Sequence, residues 1–230
     1  MWDRFLGLDF RRRRLLRRCA PGPLHDFLAA PFPDLGADFR DVEFVALDLE
    51  TTGLDARTDE ILSIGMVSMH GCRVDLATAS HYLVTPTRAV PESSAVIHQI
   101  TDDQAARGRP LAEVLPLVLS RLAGRVLLGH HVGIERSFLN AACQSVYGGR
   151  LLVPLADTEA MVRRWMTERN RPIAQGGLRL HALREQFGLP RYKAHDALID
   201  ALATAELFCA FVANREPGRK APLRMFLEPQ

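Results

Sequence analysis

The hydrophobic pattern along the chain changes period several times, and each change predicts an element. "EFVALDLE", "EILSIGMVSMHG" and "CRVDLATASHYLVTP" carry the continuous or alternating apolar runs of strands, and Gly71 between the last two predicts an antiparallel hairpin. Residues 92–122 read as short helices, the last being "LAEVLPLVLSRLAG", closed by Gly124. Then "RVLLGHH" reads as a strand, "IERSFLNAACQSVYG" as a helix, "LLVPLAD" as a strand and "TEAMVRRWMTE" as a helix. "RNRPIAQGG" reads as a loop, "LRLHALREQFGL" as a short helix ended by Gly188, and "HDALIDALATAELFCAFVA" as a long final helix. The order βββαβαβα opens on a hairpin and then adds parallel strands by crossover. It predicts an α/β fold with a mixed sheet flanked by helices.

At 230 residues, 47% hydrophobic and 24% charged, the chain suits one large domain with a sizeable core. Its expected division is a basic, Pro-containing N-terminal arm at 1–40, the domain at 41–214 and a C-terminal tail at 215–230. Pro21, Pro23, Pro31 and Pro33 rule out a long helix in the second half of the arm. Net charge is +2, but residues 1–20 hold seven arginines against Asp3 and Asp9, which leaves the body mildly acidic. "RRRRLLRR" reads either as a grip on a phosphate backbone, acidic partner or anionic membrane surface, or as a solvated basic helix resting on Leu15 and Leu16. No apolar run approaches the ~20 uncharged residues of a membrane span. Cys19, Cys72, Cys143 and Cys209 form no CxxC pair, and the N-terminus lacks a secretory apolar region, so a cytoplasmic protein is expected.

The candidate chemistry begins inside "FVALDLETTG". Asp48 and Glu50 stand two apart at the end of a strand, so they project from one face and place two negative charges side by side. Such a pair must be solvated, share a proton or be held by cations. The last helix repeats the problem, because Asp200 lies in an otherwise apolar stretch with no arginine within about a turn of it in sequence. A cation shared with Asp48 and Glu50 is the economical solution. His195, five residues earlier, would diverge from Asp200 by roughly 140° in one regular helix, and converges with it only from a loop or first turn. A histidine beside a carboxylate metal site is a candidate general base.

Three stretches, "FVALDLETTGLD", "LLGHHVGIERSFLN" and "YKAHDALIDALATAELF", together resemble the ordered motifs of the DnaQ-like 3′→5′ exonucleases, the histidine-bearing branch of the DEDD superfamily. The resemblance spans about residues 43 to 213 and includes "VPESSAVIHQIT" and "LADTEAM". It implies a ribonuclease H-like sheet of three antiparallel and two parallel strands. It also implies two divalent cations, Mg²⁺ or Mn²⁺, with Asp48 bridging both, Glu50 and Asp200 on the first, and His195 deprotonating the attacking water. Glu135 stands where the family has Asp, His131 where Asn is usual, and Ile134 where Phe is usual. The extra methylene of Glu135 is expected to alter its reach toward the second ion without abolishing activity.

By the same resemblance Thr51, Thr52, Leu54 and His98 contact the terminal nucleotide, although Gln99 replaces a usual glycine and Leu54 also reads as plain packing. His130, His181 and Asp157 are taken as structural, Asp157 as a brace for the next helix. The expected activity is metal-dependent release of mononucleotides from nucleic-acid 3′ ends, with DNA as the favoured substrate in a proofreading or repair role. The expected partners are a single strand or frayed 3′ end and, for proofreading, a DNA polymerase. An RNA-trimming exonuclease and a non-catalytic nucleic-acid-binding module are the alternatives.

Overall fold

The computed structural model describes residues 7–215 and 220–229. Trp2, Asp3 and Arg4 of the basic segment, and residues 216–219 and 230 of the tail, lie outside the described residues. Five strands form one sheet in the order β3-β2-β1-β4-β5: β1 (Glu43–Thr51), β2 (Ile61–His70), β3 (Arg73–Leu83), β4 (Val126–Gly129) and β5 (Leu155–Asp157). β1, β2 and β3 pair antiparallel, while β4 runs parallel to both β1 and β5. This is the mixed five-stranded sheet of a ribonuclease H-like fold.

Nine helices accompany it among the described residues: α1 (Leu8–Leu16), α2 (Pro23–Ala29), α3 (Glu92–His98), α4 (Asp102–Ala105), α5 (Leu111–Leu122), α6 (Gly133–Tyr147), α7 (Thr158–Glu168), α8 (Leu180–Gln186) and α9 (Ala197–Arg215). The alternation of β1 divides them into two layers. Val45, Leu47 and Leu49 pack with Leu24 and Phe27 of α2, Val118 of α5 and Phe138 of α6. Phe44 and Ala46 pack on the opposite face with Phe208 and Phe211 of α9 and Met161 of α7. Asp48 and Glu50 continue the Phe44 and Ala46 series, so they leave the sheet on the α9 side.

Two predicted strands are shorter than read. "LLVPLAD" pairs only from Leu155, because Pro154 has no N–H for the ladder and contributes only its carbonyl, which accepts from the Leu127 N–H at 2.9 Å. "RVLLGHH" stops at Gly129, since His131 turns into the left-handed region (φ 65°) to start α6. The Pro-containing segment is ordered: Leu24, Phe27 and Leu28 of α2 are each 1% exposed. Near the C-terminus, Leu223 and Phe226 are buried in the α9 layer, and the Leu223 N–H donates to the Ala37 carbonyl at 2.8 Å. By length and composition alone α9 is apolar enough to cross a membrane, but its apolar surface lies against β1 and β2.

Candidate active site

The bottom of the site is the end of β1. Asp48 is half-buried, Glu50 is buried, and β1 departs from regular pairing between Glu50 and Thr51, which turns the chain into the loop carrying Thr52 to Leu54. Opposite Asp48 in the antiparallel ladder stands Gly65 of β2. A Cβ there would lie 2.1 Å from the Ala197 carbonyl carbon and 2.2 Å from the Leu198 nitrogen. Only a glycine lets the first turn of α9 rest directly on the sheet at this point, and that contact carries Asp200 to the β1 carboxylates.

Asp196 starts α9, its Oδ1 accepting from the Leu198 and Ile199 N–H groups at 3.1 Å. His195 precedes this cap in a left-handed conformation (φ 66°), and its backbone N–H donates to Asp200 Oδ2 at 2.8 Å. The angular objection to pairing the two disappears because His195 lies outside the helix. Among the described residues, Glu50, His195 and Asp200 offer ligand atoms all within 4.8 Å of one another. Asp48, Glu135, Thr51, Leu54 and His98 line the same cleft of about 840 Å³.

Glu135 comes from the first turn of α6, 4% exposed, and its Oε2 has no hydrogen-bond partner among the described residues. A buried carboxylate oxygen without a donor is costly unless something else occupies it. The electrostatics of the whole group agree. Burial, with Glu135, Asp200 and Glu50 nearby, holds the Asp48 carboxyl well above its ordinary range. Burial, then Asp200 and Asp196, push Glu50 up to about 8. Burial pushes Glu135 up to about 8, against the opposing backbone hydrogen bond. Asp200 is raised by burial despite the His195 N–H. Mutually repelling carboxylates with an orphaned buried oxygen and no cysteine fit a hard divalent cation such as Mg²⁺ or Mn²⁺.

Thr51 Oγ1 donates to the Gly53 carbonyl at 2.6 Å, and Leu54 is 79% exposed at the cleft edge. Thr52 is not brought to the cleft: its Oγ1 accepts from the Glu60 N–H at 2.9 Å and stabilises the loop instead. His98 is buried, with Nδ1 accepting from the Ile100 N–H at 3.0 Å, and burial together with nearby His195 lowers its pKa. Gln99 keeps the turn in place of a glycine by adopting φ 60°, and its Oε1 accepts from Lys193 Nζ at 2.8 Å, which fastens the loop that carries His195.

Asp157 caps α7 and also accepts from the His131 and Val132 N–H groups, so it joins the starts of α6 and α7. His130 bridges Thr158 Oγ1 and the Leu178 carbonyl, while His181, taken as structural, lines the cleft. Sequence reasoning missed Gly65 and Asp196. An isolated glycine inside a strand, and an Asp directly before an apolar helical run, were the available signals. It also missed buried Arg184, which pairs with Glu206 at 2.8 Å and stacks over Tyr192, bracing α8 against α9.

Comparison with known proteins gives a consistent result. Residues 45–208 match the family model described as "Exonuclease". The chain is 33% identical over 174 residues to the DNA polymerase III PolC-type of Thermotoga maritima, across 76% of this chain and only 12% of that polymerase. It is 33% identical over 173 residues to DNA polymerase III subunit epsilon of Treponema pallidum, across 75% of this chain and 78% of that subunit. A solved structure of Exonuclease X in complex with 5′ overhanging duplex DNA superposes with a TM-score of 0.62 at 20% identity, over 80% of this chain and 97% of that one. The chain thus belongs to the exonuclease family, in its DnaQ-like 3′→5′ superfamily with a ribonuclease H-like fold.

Proposed function

We propose that this protein is a metal-dependent 3′→5′ exonuclease that hydrolyses the terminal phosphodiester bond of DNA and releases mononucleotides, in proofreading or repair. The observation that carries this reading is the convergence of Asp48, Glu50, Glu135, His195 and Asp200, from three separate elements and one loop, on a single cleft. In a two-metal site the cations activate the nucleophile and stabilise the attacking and leaving oxygens of an in-line displacement at phosphorus. Asp48, Glu50, Asp200 and Glu135 would hold them.

His195 takes the proton of the attacking water on a ring nitrogen. Its backbone N–H, bonded to Asp200 Oδ2, keeps it at the carboxylates rather than on the outer face of α9. Thr51, Leu54 and His98 form the wall assigned to the terminal nucleotide, Leu54 by apolar contact with its base. Subunit epsilon of DNA polymerase III as a relative along 78% of its own length supports DNA as the substrate and a DNA polymerase as the partner. We place the protein in the cytoplasm, where free thiols such as those of Cys19, Cys72, Cys143 and Cys209 stay reduced.

A 5′-labelled single-stranded DNA oligonucleotide, incubated with Mg²⁺ or Mn²⁺ and resolved on a denaturing gel, tests this. Native protein should shorten it from the 3′ end one nucleotide at a time, and Asp48→Ala should leave it intact. Shortening of an RNA oligonucleotide alone would replace DNA by RNA in the reading. No shortening of either would reduce the protein to a binding module.

A further inference from the structure

We propose that a second cleft, between α1 and the start of α6, is a phosphate track that holds the body of the nucleic-acid strand whose 3′ end lies among the carboxylates. The proposal rests on the exonuclease reading above and adds a binding site to it.

The run Arg11 to Arg14 is divided by helix rotation of about 100° per residue. Arg12 turns inward, 5% exposed, and donates to the Leu28 carbonyl at 2.5 Å, while also pairing with Asp9. Arg13 pairs with the other oxygen of Asp9 at 2.7 Å. Arg11 and Arg14 stand at i and i+3 on the remaining face of α1, and Arg18 follows from the turn just past the end of the helix. They line a cleft of about 670 Å³ together with Arg136 of α6 and Arg150 of the following loop.

No carboxylate is among the described residues lining this cleft. Arg11, Arg18, Arg136 and Arg150 have no ion pair among the described residues, whereas Arg40, Arg57, Arg125 and Arg164 on other surfaces each have one. The guanidinium groups of Arg11, Arg18, Arg136 and Arg150, gathered around one concavity, repel each other, and an anion seated there relieves that repulsion. The scaffold beneath them is built: the Leu151 N–H donates to Asn140 Oδ1 at 3.2 Å, and Leu151, Leu152 and Val153 are buried.

The shape and position select the occupant. A flat lipid surface does not reach guanidinium groups distributed around a concavity, while a flexible chain of phosphates does, and the planar guanidinium matches phosphate oxygens in pairs. Helix α6 joins the two clefts, since Glu135 faces the carboxylate site and Arg136, the next residue, faces this one. A strand leaving the active cleft along α6 therefore meets the arginines with its upstream phosphates.

The test measures binding of four- and sixteen-nucleotide single-stranded DNA by fluorescence anisotropy over a range of NaCl concentrations, in an Asp48→Ala background that prevents cleavage. Arg11→Gln, Arg18→Gln and Arg150→Gln are combined in the same background. The longer oligonucleotide should bind the parent at least tenfold more tightly than the shorter one. In the triple variant this gain should collapse, and the slope of log affinity against log salt should fall by about 2, at roughly 0.7 per lost single-strand phosphate contact. Retention of both the length gain and the slope would overturn the track.

If thermal melting shows the triple variant unfolded, Arg150→Gln alone, outside any helix, should lower the slope by about 0.7, and an unchanged slope is again decisive against the proposal. Hydrolysis of the p-nitrophenyl ester of thymidine 5′-phosphate by native protein separates the two ideas. That ester has no upstream phosphates, so its stability to the native enzyme would count against the exonuclease reading and not against the cleft.

Discussion

Glu135, one of several positions at which the sequence differs from the motifs it resembles, is the residue at which the structure is most exacting. Its carboxylate enters the cleft buried, with one oxygen unpartnered, so the length of the side chain sets where that oxygen lies. Glu135→Asp withdraws it by about 1.5 Å, one carbon–carbon bond. Misplacement on that scale costs up to ~100-fold in a catalytic site. We expect the variant to degrade a labelled oligonucleotide at or below the native rate. A large gain would show that the native glutamate impairs the reaction. The types and order of the acidic residues were legible in the motifs, whereas the left-handed backbone of His195, which lets it meet Asp200, was not. Nothing in "KAHDALID" announces where the helix begins except Asp196 as a cap, and cap position depends on how the helix docks.

At the scale of elements, the docking of α9 on β2 decides whether a site exists. The helix itself is readable from its apolar composition, but its register on the sheet comes from the Gly65 contact with Ala197 and Leu198. Gly65→Ala would force the first turn of α9 off the sheet and move Asp200 away from Glu50. We expect a loss of about 1–3 kcal/mol in stability, as for other overpacked positions. The accompanying fall in exonuclease rate should exceed what the unfolded fraction explains. Chemical denaturation and single-turnover rates on the same preparation check this, and a native rate would show that the contact does not position the site. The strand ends follow the same logic: Pro154 and His131 truncate β5 and β4 for backbone reasons that an apolar pattern does not register.

For the whole molecule, the concentration of carboxylates makes stability depend on pH and on cations together. Glu50, raised from an ordinary value near 4.5 to about 8, keeps a proton in the fold that the unfolded chain releases earlier, and Glu135 behaves alike. The associated stability is fully present below about pH 4.5 and is lost as the pH rises through 8. Because cations bind the deprotonated ligands, they counter this loss most strongly at the upper end of the range. The melting temperature in a chelator should therefore fall between pH 5 and 8, and saturating Mg²⁺ or Mn²⁺ should reduce or reverse the fall. An identical profile with and without the cation would argue that the cluster does not bind it.

The periodicity of the chain was enough to specify the element order, the mixed sheet and the placing of Asp48 and Glu50 on one face, because strand alternation and helix rotation are local rules that operate over a few residues. The joining of His195 to Asp200 was implied by the resemblance of the motifs and not by spacing, which sets the two apart on a regular helix. What a run of four arginines does, which of Thr51 and Thr52 faces the cleft, and how α9 reaches β1 were decided only by tertiary packing. Each depends on a partner distant in sequence: the Leu28 carbonyl for Arg12, Glu60 for Thr52 and Ala197 for Gly65. Such pairings are set by the simultaneous burial of both surfaces of the sheet, and no local window contains them.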